Sequence, residues 1–436
     1  IVFPMAGIAK DHFGKGAGVL AAWLIAFMPT HVQKSTWGMA DHDSFVLLFL
    51  TAAFMFYLRA IKHGGDDRLS RQTNAWPSGI YNAFAAVMKE KRTATLNAIA
   101  AGVCFGIVAL GWKGFVYGPA IIFLAYVVQV AMNMLRKKDS TTISTINILL
   151  LATIFVMTIP FYAHPQLNLV WNSTGLQPLV FIAIFTLAIA WITTGFRDKP
   201  WLLVLGSLFT GGIVFGVVLY LLQLADMSNA WEVLTTGSGY FTKNKIFGTI
   251  AEASAPSRGQ LFASFGPIVF VIAIVMGFIA LWDGVVKKNQ THLILGMWVL
   301  VASYMAWSAG RFLFNAAPAM AVMGAWGITG LWRASGAGEM AKKWRRMGIR
   351  TPGERITNAR KAFWKTPQFS AIGLVLMLIF SQHATYGLDA AMGPQDEADL
   401  DNTIYNIAPD ILRWNDFGFS ILDDADYDAY DPDFPD

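Results

Sequence analysis

One cysteine, Cys104, stands in the whole 436-residue chain. No disulfide can form within it, and a thiol catalyst or a cysteine-built zinc site has no partners to draw on. Charge is scarce as well: Asp, Glu, Lys and Arg make up 14% of the residues, against about 25% in ordinary soluble domains. That shortage excludes a soluble globular fold. Neither a low-complexity linker nor a clear internal repeat divides the chain. Apolar side chains fill the space instead, at 55% of residues, with 32 Phe and 16 Trp and a mean hydropathy of +0.47. Runs near the length that a membrane-crossing helix needs, about 20 residues, follow one another along the chain. The composition predicts an all-α polytopic membrane protein.

Eleven spans are predicted, near 16–33, 44–61, 93–111, 115–135, 142–162, 177–196, 201–223, 263–284, 291–309, 312–332 and 370–386. Alternation divides the loops into two sets. One set (the start, 62–92, 136–141, 197–200, 285–290 and 333–369, with Arg59 at a span end) holds 26 of the 33 Lys and Arg. The other holds seven: Lys34, Lys113, Lys243, Lys245, Arg258, Arg311 and Arg413. Cytoplasmic loops carry the excess of cations, so the first set is predicted to be cytoplasmic. Asp41 and Asp43, the long loop 224–262 and everything after about 387 then face outside. The tail from Asp389 carries 14 of the 28 acids and one Arg. It reads as an acidic extracytoplasmic segment, 389–436, that begins a C-terminal soluble domain after a membrane domain at 1–388.

Charge at the mouth of a span is costly to keep without a use. Trp37-Gly38-Met39-Ala40-Asp41-His42-Asp43 puts two carboxylates and an imidazole there. Asp-x-Asp is common in this chain, as at Asp424/Asp426 and Asp431/Asp433, and a solvated turn is the plain alternative. Position is what makes Asp41 and Asp43 candidates. On the same predicted side lies Gly248-Thr249-Ile250-Ala251-Glu252, followed by the breaker-rich Ala253-Ser254-Ala255-Pro256-Ser257-Arg258-Gly259. Such composition suits a loop that opens and closes. Arg311, where two spans meet, either snorkels to a lipid headgroup or clamps a phosphate with its guanidinium fork. Two Asp, a Glu and an Arg on one face form a hard-oxygen site for Mg²⁺ or Mn²⁺ beside a phosphate binder. That chemistry suits a substrate whose leaving group is a lipid-linked phosphate or pyrophosphate.

With these residues in place, the sequence resembles the catalytic subunit of oligosaccharyltransferase, in its archaeal single-subunit (AglB-like) form. The resemblance rests on Gly38-x-x-Asp41-His42-Asp43, on Thr249-Ile250-Ala251-Glu252 as the family's T-I-x-E loop motif, and on Gly310-Arg311-Phe312. It implies a GT-C membrane fold of thirteen spans, eleven of them visible here. It implies a glycosyltransferase that moves a glycan from a lipid-linked oligosaccharide donor of dolichol type to the Asn of Asn-x-Ser/Thr in an acceptor polypeptide. Carried over, Asp41, Asp43 and Glu252 belong to the shell of the metal, Mg²⁺ or Mn²⁺. His42 is a possible neighbour. Asp41 and Glu252 are the catalytic pair, Glu252 also binding the acceptor carboxamide, and Arg311 holds the donor phosphate.

Two other classes share part of this pattern. Other GT-C enzymes, such as lipid-linked mannosyltransferases or lipid A aminoarabinose transferases, also place acids outside a first span but lack a late T-I-x-E loop. Secondary transporters bury ionisable groups at mid-membrane, whereas the span interiors here are almost uncharged. The basic loop 333–369 suits anionic lipid headgroups better than nucleic acid, and no nucleic-acid partner is expected. Residues 76–92 suit a helix lying in the membrane interface. Asn172-Ser173-Thr174 is a sequon on the predicted outer side; Asn289-Gln290-Thr291 falls on the inner side and should stay bare.

The family's first external catalytic Asp and its W-W-D-Y-G motif do not occur here, so the resemblance reads this chain as a piece of a larger enzyme. The isolated chain is expected to be inactive. Glycan transfer to an Asn-x-Thr peptide by these 436 residues would show otherwise.

Overall fold

The computed structural model describes residues 1–35, 42–65, 78–112, 114–162, 176–195, 200–224, 255–348 and 351–404. Among these residues all regular secondary structure is helical. The chain opens with α1 (Val2–Phe13), turns at Gly14 into α2 (Lys15–Ala26), and passes through α3 (Pro29–Ser35) to α4 (His42–Gly64). Then come α5 (Ser78–Glu90), α6 (Arg92–Gly111), α7 (Tyr117–Leu135), α8 (Thr141–Tyr162), α9 (Leu176–Gly195) and α10 (Trp201–Leu224). The second half contains α11 (Arg258–Phe265), α12 (Pro267–Val286), α13 (Gln290–Ser308), α14 (Phe312–Ala334), α15 (Ala337–Arg346), α16 (Pro352–Lys365) and α17 (Pro367–Ile404).

A helix is forced on these segments because hydrocarbon offers no partner for backbone N–H and C=O groups. Among the described residues nine helices are long and apolar enough to cross a membrane. α2 and α3 together make a tenth, bent by 56° at their junction. The remaining expected span, 201–223, is helical as α10 and contains no charged residue. All eleven expected stretches are therefore helices, in a multi-pass membrane protein.

Three boundaries depart from the pattern. The start, counted above only among the cationic loops, is a helix, α1, that packs against α2, α4 and α14. The span expected from 263 begins at Pro267, because Gly266 takes a positive φ of 79° and the proline then starts a new helix at its first turn. Downstream, α17 runs without a break past residue 388 to Ile404.

The core holds the spans at close range. α14 is the most enclosed, with 83% of its apolar window buried. Phe54 of α4 stacks on Trp298 of α13 with ring centroids 4.1 Å apart. A polar seam runs through α4, α7 and α8: Tyr57 donates to Asn147 Oδ1 (3.3 Å) and Gln129 to Asn133 (2.8 Å). Tyr126 and Ser144 pair at 2.9 Å, and Asn133 donates to Ser140 at 3.3 Å. Side-chain hydrogen bonds of this kind join membrane helices, at about 0.6 kcal/mol each on average.

Cations gather at one end of the bundle and satisfy carbonyls that the helices leave open. Arg59 pairs with Asp11 at 2.7 Å while Lys62 donates to the Asp11 carbonyl. Arg333 donates to the Phe13 carbonyl at 3.1 Å, closing the last turn of α1. Arg136 donates to the Val285 carbonyl at the end of α12. A cation at a helix C-terminus also complements the macrodipole, so the basic end of the bundle is structural as well as orienting.

Close packing of α6 on α8 depends on Gly102, where an added Cβ would lie 2.6 Å from Thr153 Cβ and 2.7 Å from the Leu150 carbonyl. Gly102→Val should lower stability by about 1–3 kcal/mol, read as a lower unfolding midpoint in detergent.

Candidate functional site

The end opposite the basic cluster brings the candidate elements together. The span built from α2 and α3 breaks there because Pro29 cannot donate a backbone hydrogen bond. Met28 donates to Ile25 instead of Leu24, which leaves the Leu24 carbonyl in need of a partner. His383 of α17 supplies it, with Nε2 at 2.7 Å and the imidazole buried. α17 packs along α3 as well, so the bend is held from a distant part of the chain.

Beyond the bend, α3 meets the start of α4. Ser44 Oγ donates to the Lys34 carbonyl at 3.1 Å, and the Lys34 ammonium lies 3.7 Å from Asp43 Oδ2. Asp43 occupies the first turn of α4, where a carboxylate is favoured by the helix dipole. Both side chains are partly exposed, so this pair is worth at most about 1 kcal/mol.

Arg311 sits at the N-cap of α14 in helical conformation (φ −58°, ψ −23°) and is half-buried. The turn it begins is fixed by aromatic packing on two sides. Phe312 stacks with Tyr117 of α7 at 6.4 Å, and Phe314 lies parallel to His31 of α3 at 6.2 Å. A second approach comes from α11. A capping box opens this helix: Gln260 N donates to Ser257 Oγ at 3.2 Å, and Ser257 N donates to Gln260 Oε1 at 2.9 Å. α11 packs against both α3 and α14. Four elements thus converge: α3, the start of α4 with Asp43, α11, and the start of α14 with Arg311.

Asp41 and the motif Thr249, Ile250, Ala251 and Glu252 lie outside the described residues. His42 forms the first residue of α4, with its backbone alone described. Among the described residues no group of three or more His, Cys, Asp and Glu is placed to hold a metal ion. Two further residues stand at this end that the sequence pattern does not mark. Lys34 was one cation among seven; its nearness to Asp43, nine positions on, requires α3 to fold back on α4. His31 carried no signal beyond being a lone histidine at a span end.

The family model described as "Oligosaccharyl transferase STT3, N-terminal" matches residues 1–334. The curated dolichyl-phosphooligosaccharide-protein glycotransferase 3 of Archaeoglobus fulgidus is 24% identical over 214 residues, which is 45% of this chain and 22% of its own length. The solved archaeal oligosaccharyltransferase AglB from Archaeoglobus fulgidus, in complex with an inhibitory peptide and a dolichol-phosphate, is 16% identical. It matches at a TM-score of 0.66 over 89% of this chain and 43% of its own. The Archaeoglobus fulgidus oligosaccharyltransferase complex with Zn and sulfate matches at 0.56, with 15% identity, over 89% and 40%. At these identities the structural likeness shows the membrane fold. The chain spans less than half the length of each of these relatives.

The tie at the bend can be tested apart from any activity. His383→Leu removes the partner of the buried Leu24 carbonyl and should cost about 1–3 kcal/mol, read as a lower thermal midpoint in detergent. An unchanged midpoint would mean that α17 does not hold the broken span.

Proposed function

The chain belongs to the oligosaccharyl transferase STT3 family, and from that premise we propose that it is the membrane-embedded part of an oligosaccharyltransferase. The enzyme moves a glycan from a dolichol-type lipid phosphate or pyrophosphate to the Asn of Asn-x-Ser/Thr in extracytoplasmic polypeptides. Its site faces the extracytoplasmic side of the cell membrane. The observation that carries this reading is the convergence of α3, α4, α11 and α14 at the end away from the basic cluster. Two peptide units separate Asp41 from Asp43, and five separate Glu252 from Ser257, a reach of at most about 18 Å for the longer. The relative solved with a dolichol-phosphate and a peptide supports the donor and acceptor classes.

A divalent cation fits the one candidate carboxylate described. Asp43 is a hard oxygen donor, partly exposed, and its ammonium neighbour at 3.7 Å is loose enough to be displaced. Asp41, Asp43 and Glu252 would hold Mg²⁺ or Mn²⁺, and the relative solved with Zn and sulfate supports the use of a divalent cation. When bound, the cation offsets charge developing on the leaving phosphate.

The remaining work falls to side chains. Arg311 binds the phosphate of the donor and holds it against α14, whose aromatic packing fixes the guanidinium's approach. The acceptor carboxamide is a poor nucleophile because its nitrogen lone pair is delocalised. Twisting a peptide C–N bond costs about 18–20 kcal/mol, and a carboxamide is comparable. Glu252 and Asp41 accept its two N–H hydrogens, favour the twisted form and free the lone pair. A C–N bond to the anomeric carbon then forms as the bond from that carbon to the phosphate oxygen breaks, and one amide proton is lost.

The test uses the full-length gene product. Glu252→Gln and Asp41→Ala should each abolish sequon glycosylation while the protein remains membrane-inserted. Arg311→Lys keeps the charge but loses the bidentate fork, and should cost about 10²–10³-fold in turnover. Wild-type glycosylation in the Glu252 and Asp41 variants would remove these residues from the mechanism.

A further inference from the structure

Between α14 and α17 the chain carries two helices that stand apart from the bundle. α15 and α16 make their contacts mainly with the spans they adjoin, α14 and α17 respectively. Both are joined to the end at which Arg333 and the other basic-end cations cluster. From Arg333 to Phe369 there are ten Lys and Arg against two acids, Glu339 and Glu354. One of those acids is already neutralised by Lys342 at 2.8 Å.

Neither helix is a passive linker. α16 opens with a capping box: Glu354 N donates to Thr351 Oγ1 at 3.3 Å, and Thr351 N donates to Glu354 Oε2 at 3.4 Å. Pro352 holds its first turn, and Pro367 starts the next helix two residues after it ends. The helix is therefore specified locally, without a core to lean on. Along one side of α16, at every fourth position, stand Ile356, Arg360 and Trp364. Ile356 is 69% exposed and Trp364 81%. In α15 the spacing of Met340 and Trp344 sets an apolar strip opposite Lys342 and Arg346, and Met347, in the turn that follows, is 56% exposed.

Exposed apolar side chains alternating with cations, on helices tied at both ends to membrane spans, match the boundary between headgroups and acyl chains. We infer that α15 and α16 form a docking surface for anionic phospholipid headgroups of the leaflet at the basic end. Ile356 and Met347 enter the acyl boundary, Trp364 sits at its level, and Lys342, Lys343, Arg346, Arg360 and Lys361 contact the phosphates. Charge complementarity selects this occupant. A cationic strip beside an anionic leaflet gains attraction that zwitterionic lipid does not offer, and salt weakens it. A nucleic acid would also satisfy the cations, but it gives Ile356 and Met347 no apolar medium.

The sole cysteine is buried in α6, so one thiol introduced at the surface can be labelled selectively. The full chain carrying Ile356→Cys, with an environment-sensitive fluorophore, is reconstituted into vesicles of phosphatidylcholine alone or with added phosphatidylglycerol. The expected result is a blue-shifted emission and reduced acrylamide quenching in the anionic vesicles only, with both effects reversed by high salt. Adding Arg360→Glu should raise the ratio of exposed to shielded label about fivefold or more, since one cation is lost. Equal emission and quenching in the two vesicle types would overturn the inference. So would shielding in phosphatidylcholine vesicles that appears only when RNA is added. Because the lipid is varied while the protein is held constant, a folding defect cannot imitate the expected result.

Discussion

Hydrocarbon cannot satisfy a backbone amide, and everything else in this molecule follows from that constraint. Each span must close its hydrogen bonds within itself, so the spans are helices and polar chemistry is driven to their ends. The two ends then take on different tasks. At one, Arg59, Lys62, Arg136 and Arg333 meet helix C-termini and a carboxylate, so that the cations that orient the chain also close its helices. At the other, the span of α2 and α3 is bent by 56°, beside the start of α4 and the start of α14.

That break is the one place where the bundle departs from its own rule, and it is compensated from outside the helix. The Leu24 carbonyl, left open when Met28 donates to Ile25 at the break, is taken by His383, more than three hundred residues away. Tying the bend to α17 makes the position of α3 a property of the whole fold. The same α3 then carries Lys34 to Asp43 and His31 to Phe314, linking the acid at the mouth of α4 to the turn that begins with Arg311. Functional groups at such a site hold their geometry only if the supporting helices are themselves fixed. Here the support consists of ring stacking, a capping box and a buried imidazole.

Much of the architecture was legible in the residues. All eleven apolar stretches are helical, because hydropathy and backbone satisfaction are local properties. The uneven placement of Lys and Arg foretold that Arg59, Arg136 and Arg333 would meet at one end. The family could be read from three short motifs, and the match over residues 1–334 agrees with it. Less legible were the boundaries set by single residues. Gly266 with Pro267 delays the span that hydropathy starts at 263, and α1 occupies a start too short in apolar residues to be predicted as a span. Of the candidate site residues, Asp43 and Arg311 stand at the converging end with the backbone of His42. Asp41 and Thr249–Glu252 lie outside the described residues.

What the sequence determined by itself is therefore the solvent: a lipid-embedded helical chain with its cations gathered at one end. Those features depend on composition and on period, which any window of residues carries. Only the tertiary structure decided which helix bends, which distant imidazole repairs the bend, and which lysine faces Asp43. Such pairings join positions far apart in the chain, and they exist only once packing has chosen the neighbours of each helix.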